Sequence, residues 1–181
     1  MKIAIDGFNL ALEKGTGVAT YGRNLSYCLG ELGHETHVLY GRPAGPGKTG
    51  LMQEIAFFDE NAAQSNGPIG HIRRGIEASL NPRARRAREV KLSGAVIFDQ
   101  FRSRLPHFNR LWNSPHIYEH AHMRFRLYGG RTRVRIPAPI DIMHWTYPLP
   151  VRLAGAKNIY TLHDLVPLRL PYGSFEFGVG S

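Results

Sequence analysis

Short apolar runs, closed by polar residues and separated by glycines and prolines, set the rhythm of this chain. Lys2 to Asp6 predicts a first buried strand, with Ile3 and Ile5 on one face and an acid at its end. The connection from Gly7 to Gly17 is long and finishes in Gly15-Thr16-Gly17, where glycine permits positive φ and close approach of a ligand. From Val18 onward, Val18, Tyr21, Leu25, Cys28, Leu29 and Leu32 recur with the helical period. They predict a helix with that stripe, Cys28 included, on the core, and Gly33 stands at its C-cap. Thr36 to Tyr40 follows as a second strand, which completes a βαβ unit of right-handed crossover.

The middle of the chain is less regular. Gly41 to Gly50 is a turn region rich in Pro and Gly, Ile55 to Phe58 reads as a third strand, and Asn61 to Pro68 is polar loop. Between Arg83 and Leu105, Ala87, Val90, Ile97, Phe98, Phe101 and Leu105 fall near one helical stripe. Arg83, Arg85, Arg86 and Arg88 would crowd positive charge at the start of that helix, where its dipole disfavours it. Met123, Phe125 and Leu127 alternate with Arg124, Arg126 and Tyr128, a pattern compatible with an extended segment. Ile140 to His144 and Asn158 to Leu162 predict two later strands, and each leads to a histidine at its end: His144 and His163. Strands alternating with helices point to an α/β fold with a mostly parallel sheet.

Composition bounds this picture. The chain has 181 residues, 43% hydrophobic and 20% charged, which fits one globular domain. No apolar run approaches the roughly 18 residues of a membrane span, and Asp6 interrupts what would be the apolar core of a signal peptide. The single cysteine, Cys28, excludes an internal disulfide framework and fits a reducing, cytoplasmic setting. The formal charge of +9 is unevenly placed. Arg73 to Arg135 holds 15 basic and 4 acidic residues, and the remainder holds 8 and 10. Such a patch attracts phosphates, nucleic acid or an acidic membrane surface.

The candidate chemistry clusters at strand ends. Gly15-Thr16-Gly17, His144 and His163-Asp164 each follow a predicted strand or open a helix. In an open parallel sheet these positions border one crevice. Helix N-termini favour phosphates, and imidazole exchanges protons with hydroxyls near neutral pH. Several motifs fail. The Gly47-Lys48-Thr49 triplet has Arg42 where a Walker A glycine belongs, and Thr20 replaces the third dinucleotide-binding glycine. There is no G-x-S-x-G elbow. His116, His120 and His122 have a spacing that can bind zinc on a helix, but no recognised metal pattern accompanies them, and no metal is expected. Phe98, Phe101, Phe108, Trp112, Tyr118, Phe125 and Tyr128 interleave with the basic residues. A non-catalytic module for nucleic acid or an anionic surface is therefore the alternative reading.

Asp6, the stretch Gly15-Thr16-Gly17-Val18-Ala19-Thr20-Tyr21 with Arg23-Asn24-Leu25, and Leu32-Gly33-His34-Glu35 resemble the N-terminal domain of family 4 glycosyltransferases. Asp141-Ile142-Met143-His144-Trp145-Thr146 and Tyr160-Thr161-Leu162-His163-Asp164-Leu165-Val166-Pro167 extend the resemblance. It covers both ends of the chain up to about Tyr172, and Gly41 to Ile136 is only loosely similar. The resemblance implies a Rossmann-like three-layer α/β/α domain over residues 1–172, the acceptor side of a GT-B enzyme. Residues 173–181, rich in glycine, read as a truncation or tail. Such enzymes transfer a sugar from a nucleotide-sugar to a glycan or lipid-linked acceptor with retained configuration, and need no metal or other cofactor. By motif position, His163 and Asp164 would be catalytic, and Gly15, Thr16, Gly17, Tyr21 and His144 would bind substrate. The acids that grip the donor sugar belong to a C-terminal domain, so the chain alone is expected to be inactive. The basic stretch Arg73–Arg135 would bring it to the inner face of an anionic membrane, with nucleic acid not expected.

Overall fold

A computed structural model describes residues 1–11, 17–42, 85–91 and 105–163. The strand expected at Ile55–Phe58, most of the helix expected from Arg83 to Leu105, Gly15, Thr16, Asp164 and the tail from Gly173 lie outside the described residues.

Within them the strands are β1 (Lys2–Asp6), β2 (Glu35–Tyr40), β3 (Arg85–Arg86), β4 (Arg88–Glu89), β5 (Arg110–Asn113), β6 (Thr132–Arg135), β7 (Ile142–Trp145), β8 (Val151–Leu153) and β9 (Lys157–Tyr160). The helices are α1 (Gly17–Glu31) and α2 (Ile117–Tyr128), and a 3-10 turn covers Asn9–Ala11. The main sheet runs β4-β5-β2-β1-β7-β9, and β3, β6 and β8 form a second, parallel sheet. Five strands of the main sheet are parallel, and the short β4 pairs antiparallel with β5 at its edge. The chain is thus α/β with mostly parallel sheets. From β1 the sheet grows outward on one side through β2 and β5 and on the other through β7 and β9. The order of strands therefore reverses between β1 and β7. In open parallel sheets ligands bind at such a reversal, outside the carboxyl ends of the strands.

Burial explains why β1 and β2 are central. Their residues are buried almost continuously rather than alternately, the pattern of strands covered on both faces. Successive residues of β2 divide between two cores, as the period of two requires. Leu39 packs with Trp112, Met143, Trp145, Ile117, Tyr118 and the inner face of the second sheet. Val38 and Tyr40 pack with Leu111, Val90, Leu10 and Phe108. One polar group is drawn into this interior. His37 is fully buried, accepts a 2.9 Å hydrogen bond at Nδ1 from Trp112 Nε1, and places Nε2 3.0 Å from Glu35 Oε1. Burial holds its pKa below the ordinary histidine value.

Several expectations need correction. The helix forms, and Gly33 closes it with φ of 76° as its C-cap position predicts. Its buried stripe, however, is Ala19, Gly22 and Ser26, while Cys28 is exposed and Leu32 is 70% exposed. Small residues let the helix axis lie close to what it covers: a Cβ on Gly22 would stand 3.4 Å from Thr146 Cγ2, and one on Gly30 2.5 Å from the His107 ring. A hydrophobicity-based period weights the larger residues and so misplaces the face.

Arg85–Arg86 and Arg88–Glu89 are strands, not helix. Ala87 and Val90 are both buried, but in different cores, because the chain steps there from the second sheet to the edge of the first. Three-residue spacing is not unique to helices in such a crossing. Conversely, Met123 to Leu127 is helical. Its apolar residues alternate only because the helix end leaves the core, with Phe125 50% and Leu127 58% exposed. Gly129 closes α2 at φ of 66° and donates its N–H to Phe125 O. Among the described residues no helix is long and apolar enough to cross a membrane.

Candidate functional site

The carboxyl ends of β1, β7 and β9 bring together residues far apart in sequence, and Thr146 is their hub. It follows β7 directly and is buried. Its backbone N–H donates to Asp6 Oδ2 at the end of β1, and its carbonyl accepts a 2.6 Å hydrogen bond from His163 Nε2 beyond β9. Its methyl faces Gly22 of α1, where a Cβ would stand 3.4 Å away. One residue thus links three strand ends and a helix.

Asp6 is fully buried, with Oδ1 also accepting the Phe8 N–H at 3.2 Å. Burial pushes its pKa up from 3.8 to about 6, against the opposing pull of the hydrogen bonds from Thr146 and Phe8. A carboxylate this enclosed serves first to hold the two strand ends in register across the crevice.

Two imidazoles and a phenol occupy the open side. His144 in β7 is half-buried, and its Nε2 lies 2.8 Å from Thr161 Oγ1 and 3.3 Å from the Tyr21 hydroxyl. Burial, and then the neighbouring charge of His163, lower its pKa. Its Nε2 can therefore accept a hydrogen bond from either hydroxyl. His163 is exposed, and the Tyr21 ring meets it edge-on at 5.1 Å. Because its Nε2 donates to a carbonyl, the neutral His163 ring carries its lone pair on Nδ1. That atom can accept a proton or hydrogen bond from a ligand hydroxyl. The first turn of α1 carries no acidic residue to offset the positive end of its dipole.

The expected residues are therefore distributed as follows. Tyr21, His144 and His163 come together, with Tyr21 touching both histidines. Gly17 opens α1 and is exposed, and among the described residues no atom lies within 4 Å of where a Cβ would stand. Among the described residues neither packing nor positive φ demands glycine at that position. Gly15, Thr16 and Asp164 lie outside the described residues. Asp6, Thr146 and Thr161 join the constellation without having been singled out as site residues. An acid closing a buried strand was the available signal for Asp6. Nothing local marks Thr146 as a hub, since its partners are 17 and 140 residues away.

The histidines of α2 do not form a comparable site. His116 caps the helix in the left-handed conformation and its ring lies 5.9 Å from His120, whereas His122 turns toward Phe8. Among the described residues no group of three or more His, Cys, Asp or Glu side chains is placed to hold a metal. Comparison with protein-family models, with curated proteins and with solved structures gave no match to this chain.

Proposed function

We propose that the chain is the acceptor-side, Rossmann-like three-layer half of a retaining GT-B glycosyltransferase. Its reaction moves a sugar from a nucleotide-sugar to a glycan or lipid-linked acceptor. The observation that carries this reading is the meeting of His144 and His163 on Tyr21, beside the reversal of strand order between β1 and β7. A strand-end cluster of two imidazoles, with phenol and threonine hydroxyls beside them, suits a polyhydroxylated ligand. In this reading His163, with Asp164, contacts the transferred sugar at the reacting centre. Tyr21 and His144 border the acceptor, and the loop ending at Gly17 approaches the donor phosphates. Metal is not required by the scheme. The acids that hold the donor sugar belong to the second half of a GT-B enzyme, so the 181-residue chain by itself is inactive.

The test is a titration of the isotopically labelled chain with nucleotide-sugars and simple glycosides, read by backbone amide shifts. Perturbation is expected at Gly17, Tyr21, His144 and His163, and it should weaken in Tyr21→Phe. Shifts scattered elsewhere, or none with any sugar, would remove the basis for the reading. Sustained sugar transfer by the chain alone would overturn the inactivity proposed here.

A further inference from the structure

The second sheet has two faces of opposite character. Toward the core it presents Val134, Val151, Leu153 and Thr132, all buried. The alternate positions Arg86, Arg133, Arg135 and Arg152 are all exposed. Register places them together: Arg133 is opposite Arg152 on β8, and Arg135 is opposite Arg86 on β3. Residues paired across neighbouring strands share a face, with strands about 4.8 Å apart and next-nearest residues about 7 Å apart along a strand. The outer face of this sheet is thus a compact plate of four guanidinium groups. None of the four has a carboxylate partner among the described residues. Arg131, just before β6, adds a fifth charge 5.3 Å over the Tyr160 ring.

Like charges directly opposite one another destabilise a sheet. Solubility does not call for that arrangement, because the same alternation with mixed signs would serve it. Arginine is also the side chain best matched to phosphate, through its planar fork of donors. A glycine pair away from the plate along the chain, the last turns of α2 expose Met123, Phe125, Leu127 and Tyr128, of which Met123 and Leu127 share one side of the helix. Exposed aliphatic and aromatic side chains leading into a dense cationic plate match the boundary between lipid headgroups and acyl chains. A nucleic acid would find a use for the aromatic rings but none for exposed Leu127 and Met123.

We propose that the arginine face of β3, β6 and β8, with the exposed end of α2, docks this protein on an anionic lipid bilayer. The arginines contact headgroup phosphates and carboxylates, and the apolar side chains enter the interface. The proposal is independent of the sugar-binding reading, since none of its residues belongs to the cluster around Thr146. It narrows the basic stretch Arg73–Arg135 to one defined surface, and adds Arg152 from outside that stretch.

The experiment is co-sedimentation of the full 181-residue chain with vesicles of phosphatidylcholine alone or with about one-third phosphatidylserine. Binding is expected to the anionic vesicles only and to weaken as salt is raised. Each basic residue near such a surface strengthens partition by about fivefold, so Arg133→Gln with Arg152→Gln should weaken it on the order of 25-fold. A control pair of equal charge change, Arg110→Gln with Lys157→Gln on the main sheet, should lose far less. Circular dichroism of both doubles establishes that they are folded, and a plate variant that unfolds is replaced by Arg133→Lys with Arg152→Lys, which keeps charge and should retain binding. Equal loss in the plate and control pairs would overturn the proposal, as would absence of binding to anionic vesicles. Tighter binding to a single-stranded or duplex oligonucleotide at equal phosphate concentration would also overturn it, in favour of nucleic acid.

Discussion

Replacing Asp6 by asparagine should remove a defined component of the pH dependence of stability. Asp6 is fully buried, and its pKa rises from 3.8 to about 6 on folding because burial disfavours the charge. Between those values the folded chain retains a proton that the unfolded chain has released. Stability therefore falls as pH rises from about 4 to about 6, and the loss is constant above. At about 1.4 kcal/mol per tenfold in proton affinity, the difference between 3.8 and about 6 amounts to on the order of 3 kcal/mol. Asparagine keeps an oxygen for the Thr146 N–H and carries no charge, so this component vanishes in Asp6→Asn. His37 and His144 act in the opposite sense: burial lowers both, and acid destabilises the fold through them as pH falls below the ordinary histidine value. They are present in both proteins and cancel in the difference. The assay is urea denaturation followed by fluorescence of the buried Trp112 and Trp145, at intervals from pH 4 to 7.5. The stability of Asp6→Asn relative to the parent should rise by about 2.5 kcal/mol across that range, mostly below pH 6.5. Parallel curves, within about 0.5 kcal/mol throughout, would refute the assignment of a raised, buried carboxyl at Asp6.

Four shorter predictions accompany it. Asn158 accepts from Trp145 Nε1 and Leu153 N and donates to the carbonyls of Leu153 and Ala156. Asn158→Ala strands all four and should cost on the order of 3 kcal/mol in urea titrations, whereas a loss below about 1 kcal/mol would mean that water replaces them. A Cβ at Gly7 would sit 2.6 Å from the Tyr40 ring, which is itself buried, so Gly7→Ala should destabilise by about 1–3 kcal/mol as a thermal shift. His163 is exposed but donates to the buried Thr146 carbonyl, so His163→Ala should cost about 1 kcal/mol in urea titrations while abolishing the amide shifts caused by sugar ligands; in a complete transferase His163→Ala should lower kcat more than donor affinity, and an unchanged kcat would count against its role. Cys28 should react with a thiol reagent in the native protein at nearly the rate seen in urea, because the side chain is exposed; strong native protection would restore the core placement that periodicity predicted.

The elements with a strong local signature were legible in the chain. β1, α1 with its Gly33 cap, β2, β7 and β9 follow from apolar runs and punctuation, and with them the α/β class. The small sheet was also written in Thr132-Arg133-Val134-Arg135-Ile136, whose strict alternation is a half-buried strand, yet the charge count merged it into one long basic segment. β5 has only Leu111 and Trp112 as apolar marks and becomes a strand because β2 offers it an edge.

At the candidate site, the chain shows histidines following two predicted strands and a glycine loop before a helix. It does not show that Tyr21 touches both rings, that Thr146 bonds to Asp6 and His163, or that four arginines share one plate. The local sequence determines backbone preference and hydrophobic period, because those act between near neighbours. Register, burial and strand order decide the rest, because they arise from contacts across many residues, where desolvation of a carboxylate or the pairing of like charges first acquires its energy.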